Sequence, residues 1–390
     1  MAELVDAHDS KSCGAIHGSS ILPPGTRLQM SDICGFKMMY NYPMWQSSYK
    51  FIETPENEYF EPSTLAHNVP FTQANFYGDW QKFFNRKIRR FMVTDGEKTV
   101  AYFQIIKYPL AFGKFYLYIP YGPVTKDLSI PFLKSLKKQL KIIAKQEKAV
   151  FVRLDFVPTV SDSATKKMIH KYFHKAPLYS YHSSYFQPRA EWFLKLDKSE
   201  NELYESMHEN NRYSIRLADR KEVKTEVVSS DFIKFLEPFY ELMTITSKRN
   251  DFSLHPREYY EAIFLNLTGR NSYLTVTRFG EKILAIDVII VYGGVANYVF
   301  ACSSNEERNR APSYGAIWTA IKHAKSIGCE YFNFGGITSP EHPNKNWEGL
   351  TNFKMKFGGE KIIHSDFYDL VVNHLFYHLY NLRKFFRKLY

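Results

Sequence analysis

The chain has 390 residues, too many for one comfortable core and enough for two domains that each bury an interior. Its net charge of +11 and pI near 9.1 favour polyanionic partners: nucleic acid, phosphorylated substrates or an anionic membrane surface. Apolar runs fall short of the ~20 residues of a membrane span, no charged n-region with an apolar h-region opens the chain, and the four scattered cysteines lack any C-x-x-C pair. This argues against a disulfide framework or structural zinc and for a cytoplasmic protein.

In chain order, AELVDAHDSKSCGAIHGSSILPPGTR has neither helical nor strand periodicity and is rich in Gly, Pro and Ser. Residues 1–48 are expected to be disordered, or to precede a true start at Met30, Met38 or Met39, because they are similar to a serine transfer-RNA gene read as codons. Residues 89–94 read as a strand, Asp95-Gly96 as a hairpin turn, and 99–107 as a strand with alternating apolar side chains. A third strand follows at 115–119. Phe132, Leu133, Leu136, Leu140, Ile143 and Ala144 recur at helical spacing and predict a helix over 130–147, with a β-branched strand at 149–156. Residues 192–197 read as a strand, Ser199 with Glu202 matches a capping box, and a helix carrying Arg212, Arg216 and Arg220 comes next. The second half then runs strand 273–278, turn Phe279-Gly280, strand 283–292, turn Gly293-Gly294, strand 295–302, helix 312–326 and strand 331–334. From Val371 the tail reads as a helix with Leu375, Phe376, Leu379, Phe386 and Leu389 apolar and Arg383, Lys384, Arg387 and Lys388 basic.

GEKTVAYFQIIKY from Gly96 and GEKILAIDVIIVY from Gly280 agree at Gly, Glu, Lys, Ala, both Ile and the final Tyr. Agreement of five consecutive elements around them points to a tandem duplication of one unit. Meander, helix, strand is similar to the GNAT acyltransferase core. The expected fold is therefore α/β (α+β): GNAT-like domains at 49–186 and 187–360, and a C-terminal helix within 361–390 packing back on the first.

The blocks FTQANFYGDWQKF, YIPYGPV, VRLDF, QPRAEWFLKLD, MHENNRYSIRLADR, YFNFGGI and NFKMKFGGE stand in the order of the signature blocks of the Fem family (FemABX), from about Phe71 to the end. The resemblance implies an aminoacyltransferase that moves an amino acid from aminoacyl-tRNA to the side-chain amine of a UDP-linked or lipid-linked peptidoglycan precursor. It implies no cofactor, since the acyl group arrives as an activated ester. Residues 229–268 are too short and irregular for the coiled-coil arm of some members, so the chain resembles the compact ones, and a monomer is expected.

Within NFKMKFGGE the resemblance places Phe353 and Lys354 at the family's catalytic position. A fixed ammonium there would stabilise the oxyanion formed when an amine attacks the ester. Arg212, Arg216 and Arg220 share one helical face; it reads either as a phosphate-binding face or as a solvated one paired with Glu209 and Asp219, and the match at NNRYSIR favours substrate. Tyr298, Phe300 and Trp347 are candidates for a cleft wall, with core packing as the alternative. Asp155 reads as a helper carboxylate or a structural strand end. Lys82 stands near the family's precursor-binding lysine, with Asp79 close to the same position. The pairs His170/His174 and His374/His378 have metal-site spacing but no evident third ligand, and no metal is expected. The basic tail packs on the first domain or rests on anionic lipid at the inner membrane face.

Two other readings compete. A coenzyme A-dependent N-acyltransferase predicts an R/Q-x-x-G-x-G/A turn, whereas ERNRAPSYGA puts Arg310 five residues before Gly315. A non-catalytic RNA- or membrane-binding protein would not need Phe353, Lys354 and the GGE block.

Overall fold

The computed structural model describes residues 49–387 except 57, 127, 157–162, 178–186 and 341–342. Expectations for residues 1–48, and for the side chains of Arg387, Lys388 and Leu389, lie outside the described residues. The first half comprises β1 (Lys50–Glu53), α1 (Asn75–Lys82), β2 (Ile88–Asp95), β3 (Lys98–Pro109), β4 (Phe115–Ile119), β5 (Val124–Thr125), α2 (Ile130–Gln146), β6 (Ala149–Asp155), α3 (Ser163–His170) and β7 (His174–Lys175). Next come β8 (Ala190–Lys195), α4 (Glu200–Glu205), α5 (Glu209–Arg220), β9 (Lys224–Val228), α6 (Leu236–Asn250), α7 (Arg257–Asn266), β10 (Ser272–Phe279), β11 (Lys282–Tyr292) and β12 (Val295–Ser303). The chain closes with α8 (Pro312–Ser326), β13 (Tyr331–Gly336), α9 (Glu348–Met355), β14 (Glu360–Ile363), β15 (Phe367–Val371) and α10 (His374–Arg387).

One sheet has the order β1-β2-β3-β4-β6-β15-β7, with β5 beside β3; the other is β9-β10-β11-β12-β13-β8-β14. Strand for strand they correspond. Each is an antiparallel meander whose last strand pairs in parallel with the strand that follows a helix, β4 with β6 and β12 with β13. The two GEK hairpins share even their irregularity: the register shifts after Val93 in one and after Thr277 in the other, next to turns where Gly96 and Gly280 take φ of +61° and +55°. Such an extra residue twists a hairpin locally, so the sequence similarity preserves a three-dimensional feature.

Local chemistry accounts for the helices. Ser129 accepts the Phe132 N–H to open α2, whose apolar stripe from Phe132 to Ala144 is buried against the first sheet. The Ser199–Glu202 capping box forms as expected at α4. In place of a long arm, α6 and α7 pack their Phe239, Tyr260 and Phe264 into a core that also contains Phe71, Trp80, Tyr116 and Phe151 of the first half.

The tail differs from its expectation, which was a helix alone. Before α10 the chain forms β15, inserted between β6 and β7 of the first sheet, while β14 belongs to the second sheet. In the second sheet β8 occupies the place that β15 takes in the first. The two halves thus exchange strands: β8 runs forward into the second sheet and β15 runs back into the first. Buried between β6 and β7, β15 is anchored by the Arg153–Asp369 pair, with Nε to Oδ1 at 2.9 Å and Nη2 to Oδ2 at 2.8 Å, and Tyr377 of α10 donates to the same carboxylate at 2.8 Å.

Candidate active site

The site lies where strands of the second sheet part. Parallel pairing of β12 with β13 lasts only from Val295 to Asn297. Beyond it the β11–β12 register shifts, Val288 facing Phe300 and Ile289 facing Tyr298, so that Val299 is an extra residue. On the other side Gly335 takes φ +77°. A bulge and a left-handed glycine on neighbouring strands turn them apart and open a wedge.

Lys354 fills that wedge from α9. Its Nζ donates to the Gly336 carbonyl at 2.6 Å, and a side chain on Gly335 would meet the same Nζ at 3.9 Å. Only 6% exposed, the ammonium is pushed by burial down to about 7, against the opposing pull of Glu191. Desolvation disfavours the charged form of a lysine, so this group is poised between cation and neutral amine near neutral pH. Trp347 covers the same turn: an added Cβ at Gly336 would lie 2.6 Å from its ring and 3.2 Å from Pro188. We therefore expect Gly336→Ala to displace Trp347 and shift the carbonyl that holds Lys354, lowering turnover by about tenfold or more with a small change in melting temperature; steady-state kinetics alongside thermal unfolding checks this.

Beside the wedge, a cleft between the halves is lined by the segment Asn68 to Thr72, Tyr121, Gln187, Glu191, Asn297, Asn333 and His364. Glu191 stands on β8 and His364 just after β14, at the two points where the chain crosses between sheets; the His364 N–H donates to the Arg189 carbonyl at 2.9 Å. Glu191 Oε2 lies 2.6 Å from His364 Nε2, and its Oε1 accepts from Asn333 Nδ2 at 3.2 Å.

The structure sorts the residues nominated from sequence. Lys354 and Trp347 meet at the Gly335-Gly336 turn. Phe353, one position along α9, points elsewhere and packs edge-on against Tyr314 and Phe357. Tyr298 donates to the buried Asp287 at 3.1 Å, and burial pushes that carboxyl up to about 7. Phe300 is a correction: it is core, packed against Phe239 and Tyr260, because its strand face turns away from the wedge. Asp155 is also buried; it accepts from the Tyr118 hydroxyl at 2.8 Å and the Tyr121 N–H at 2.7 Å, and burial raises it to about 7. Its role is to fix the loop that brings Tyr121 to the cleft.

Arg212 donates to the carbonyls of Glu205 and Met207, closing the α4–α5 turn, so one of the three guanidiniums read on one helical face is engaged by the protein's own backbone. Arg216 donates to Tyr204 at 3.1 Å and Arg220 lies 5.7 Å from the Tyr213 ring. That turn abuts the end of α9, His208 N–H donating to Lys356 O at 2.9 Å. Lys82 pairs with Asp79 at 3.5 Å and Glu56 at 3.9 Å on the surface of α1, outside the cleft.

Glu191, Asn297, His364 and Gln187 were not singled out in the sequence, and Asn333 stood out there only as a departure from the acidic residue common at its place in the resemblance. A signal existed: Glu191, Asn297 and Asn333 interrupt otherwise apolar strands at inward-facing positions, where a polar side chain is costly unless it is bonded.

The sequence profile of the FemAB family matches residues 56–280 and 277–384. The chain is 24% identical to a lipid II:glycine glycyltransferase of Staphylococcus aureus (strain USA300), covering 67% of this chain and 78% of that one. Its Staphylococcus epidermidis (strain ATCC 35984) counterpart gives the same identity and coverage. Among solved structures, FemX superposes with a TM-score of 0.75 at 21% identity, over 85% of this chain and 99% of that one. A tandem GNAT protein from the clavulanic acid biosynthesis pathway gives 0.51 at 11% identity, over 83% and 98%. These likenesses bear out the α/β tandem GNAT-like fold. With a family profile spanning nearly all of the described residues and the doubled sheet to match, the chain belongs to the FemAB family.

Proposed function

We propose that this protein transfers an amino acid from aminoacyl-tRNA to the side-chain amine of a lipid-linked peptidoglycan precursor peptide. The observation that carries the reading is Lys354, a buried ammonium held at the parting of two strands in a family whose relatives are named as glycyltransferases of lipid II. The amine lone pair attacks the ester carbonyl, and a tetrahedral oxyanion forms. Lys354 in its charged form stabilises it; the C–O bond to the tRNA ribose then breaks and the hydroxyl leaves with a proton. Phe353 orients α9 through Tyr314. Arg216 and Arg220, beside the α4–α5 turn at the end of α9, supply cations for the tRNA acceptor end. Arg310, the residue nearest a coenzyme pyrophosphate turn, is instead folded back, donating to Glu307 and to the Lys221 carbonyl.

Transfer of labelled amino acid from charged tRNA to purified lipid-linked precursor, with and without ribonuclease, tests the reading. Ribonuclease-sensitive product is expected; equal transfer from an acyl thioester after ribonuclease would reject it.

A lipid-linked acceptor calls for a membrane-facing surface, and α10 supplies one. Among the described residues no helix is long and apolar enough to cross a membrane. Yet Leu375, Leu379, Leu382 and Phe386 stand exposed on one stripe of α10, beside Arg383 and Lys384. Phe112, 88% exposed at the β3–β4 tip, adjoins it through Lys114, which lies 4.6 Å from the Phe376 ring. An apolar stripe flanked by cations suits anionic lipid. Leu379→Glu with Leu382→Glu is expected to weaken sedimentation with phosphatidylglycerol vesicles by about tenfold while leaving transfer to a water-soluble acceptor intact.

A further inference from the structure

The geometry points to the Glu191–His364 pair as the proton acceptor for the incoming ammonium, with His364 Nδ1 as the base and Glu191 as its positioning residue. This inference rests on the transferase reading above and adds the step it lacks. An alkylammonium has a pKa near 10.4, so an acceptor amine is almost wholly protonated, and without a lone pair, at neutral pH. Something must remove one proton before attack.

The hydrogen-bond network assigns the tautomer. Asn333 Oδ1 accepts the Gly335 N–H at 2.8 Å, so its Nδ2 faces the other way, towards Glu191 Oε1 at 3.2 Å and Asn297 Oδ1 at 3.1 Å. With Oε1 of the carboxylate accepting there, Oε2 at 2.6 Å accepts from His364 Nε2–H. A neutral imidazole has one N–H. The lone pair therefore sits on Nδ1, which is buried and has no hydrogen-bond partner among the described residues. His364 is 4% exposed and its ring lines the cleft, propped by Tyr121 at a centroid distance of 5.0 Å. Gln187 Oε1, on another residue lining the cleft, is likewise buried without a partner among the described residues. Two unpartnered acceptors beside a carboxylate suit the three N–H donors of an ammonium, and Val69, Pro70, Phe71 and Val295 give the cleft an apolar wall for a methylene chain. The ligand class is a linear alkylammonium. The charge of the same carboxylate also favours the protonated form of Lys354 in the wedge.

Carboxylate, imidazole and nucleophile form a familiar relay: the carboxylate holds the ring in its tautomer and stabilises the imidazolium that forms. The acceptor R–NH3+ gives one proton to Nδ1, which passes it to solvent after turnover. The freed lone pair forms the C–N bond; as the C–O bond breaks, the second N–H proton leaves with the ribose hydroxyl. The remaining charged or titratable groups around the pair are Tyr121, Asp155 beneath it, and Arg189, which pairs with Asp366 at 2.7 Å.

The test compares two acceptors in the full chain with charged tRNA: the precursor with its natural amine, and the same precursor carrying an aminooxy group, whose nitrogen is unprotonated at neutral pH. His364→Gln is expected to slow the amine reaction at neutral pH by about a hundredfold or more, with the deficit relative to wild type at the same pH shrinking about tenfold per pH unit as free amine accumulates. The aminooxy reaction should change by less than about twofold, since no base is required. Glu191→Gln, which keeps a hydrogen-bonding side chain in the network, should show the same acceptor dependence. Equal slowing of both acceptors, or no slowing of either, would overturn the assignment. Lys354→Met should slow both alike, and a wild-type protein that transfers to neither acceptor would overturn the transferase reading itself.

Discussion

Lys354→Met is expected to lower the transfer rate by about 10²–10³-fold while making the protein more stable, by about 2 kcal/mol near neutral pH. The first effect follows from the loss of a preorganised cation where the oxyanion forms. The second follows from burial, since a lysine at 6% exposure whose pKa falls to about 7 is held in a site that disfavours its charge. The sign of the pH dependence is determined by the direction of that shift. In the unfolded chain the ammonium keeps its ordinary pKa of 10.5, so between about 7 and 10.5 the unfolded state binds the extra proton. Lys354 therefore contributes stability that is fully present above the unfolded value and is lost as pH falls towards 7. Wild type should gain stability across that window relative to Lys354→Met, and the two curves should converge at its alkaline end. Catalysis runs the other way, because only the protonated form stabilises an oxyanion: wild-type turnover should decline as pH rises above about 7, and the variant should lack that decline. Denaturant melts and pH–rate profiles on both proteins measure both claims. A lysine that merely packed there would leave the alkaline limb of the rate profile unchanged.

Asp369→Ala is expected to cost about 3–5 kcal/mol of folding stability, the largest effect anticipated for a residue that contacts neither the wedge nor the cleft. Arg153 and Asp369 are 2% and 0% exposed, and their bidentate pair fastens β6 to β15. Removing the carboxylate leaves a guanidinium buried beside Phe151 without its bidentate counter-ion and takes one acceptor from the Tyr377 hydroxyl. The pair also holds the returning strand in place, and that strand begins three residues after His364. Loss of Asp369 should therefore loosen the crossover as well, visible as faster amide exchange in β15 and in the His364 loop than in β10 and β11. Replacing both partners by well-packed apolar residues should recover much of the stability, because the cost lies in a buried charge that has lost its counter-ion. If Asp369→Ala melts like wild type, the buried pair does not anchor the strand exchange.

The duplication was legible because it rests on local rules. Alternation in 99–107 and 283–292, the 3.6-residue stripe of α2, the glycine turns and the Ser199 capping box each depend on residues a few positions apart. Lys354 was likewise found through the block around it. The strand exchange was not legible: nothing within residues 367–371 says which sheet they join, since a strand's pairing is decided by distant edges. The same reason decides between the two readings that the sequence left open for other residues. Phe300 and Asp155 are inward-facing positions whose neighbours come from α6 and from the loop after β4, and Arg212 is drawn to carbonyls that only the α4–α5 turn presents.

Composition, periodicity and order of blocks by themselves determined a basic, doubled α/β protein with a lysine at a family position. Tertiary structure alone decided that Glu191 and His364, 173 residues apart, share a hydrogen bond. Periodicity records which face of an element is buried, whereas a polar pair depends on the register between strands that the chain reaches by crossing from one sheet to the other.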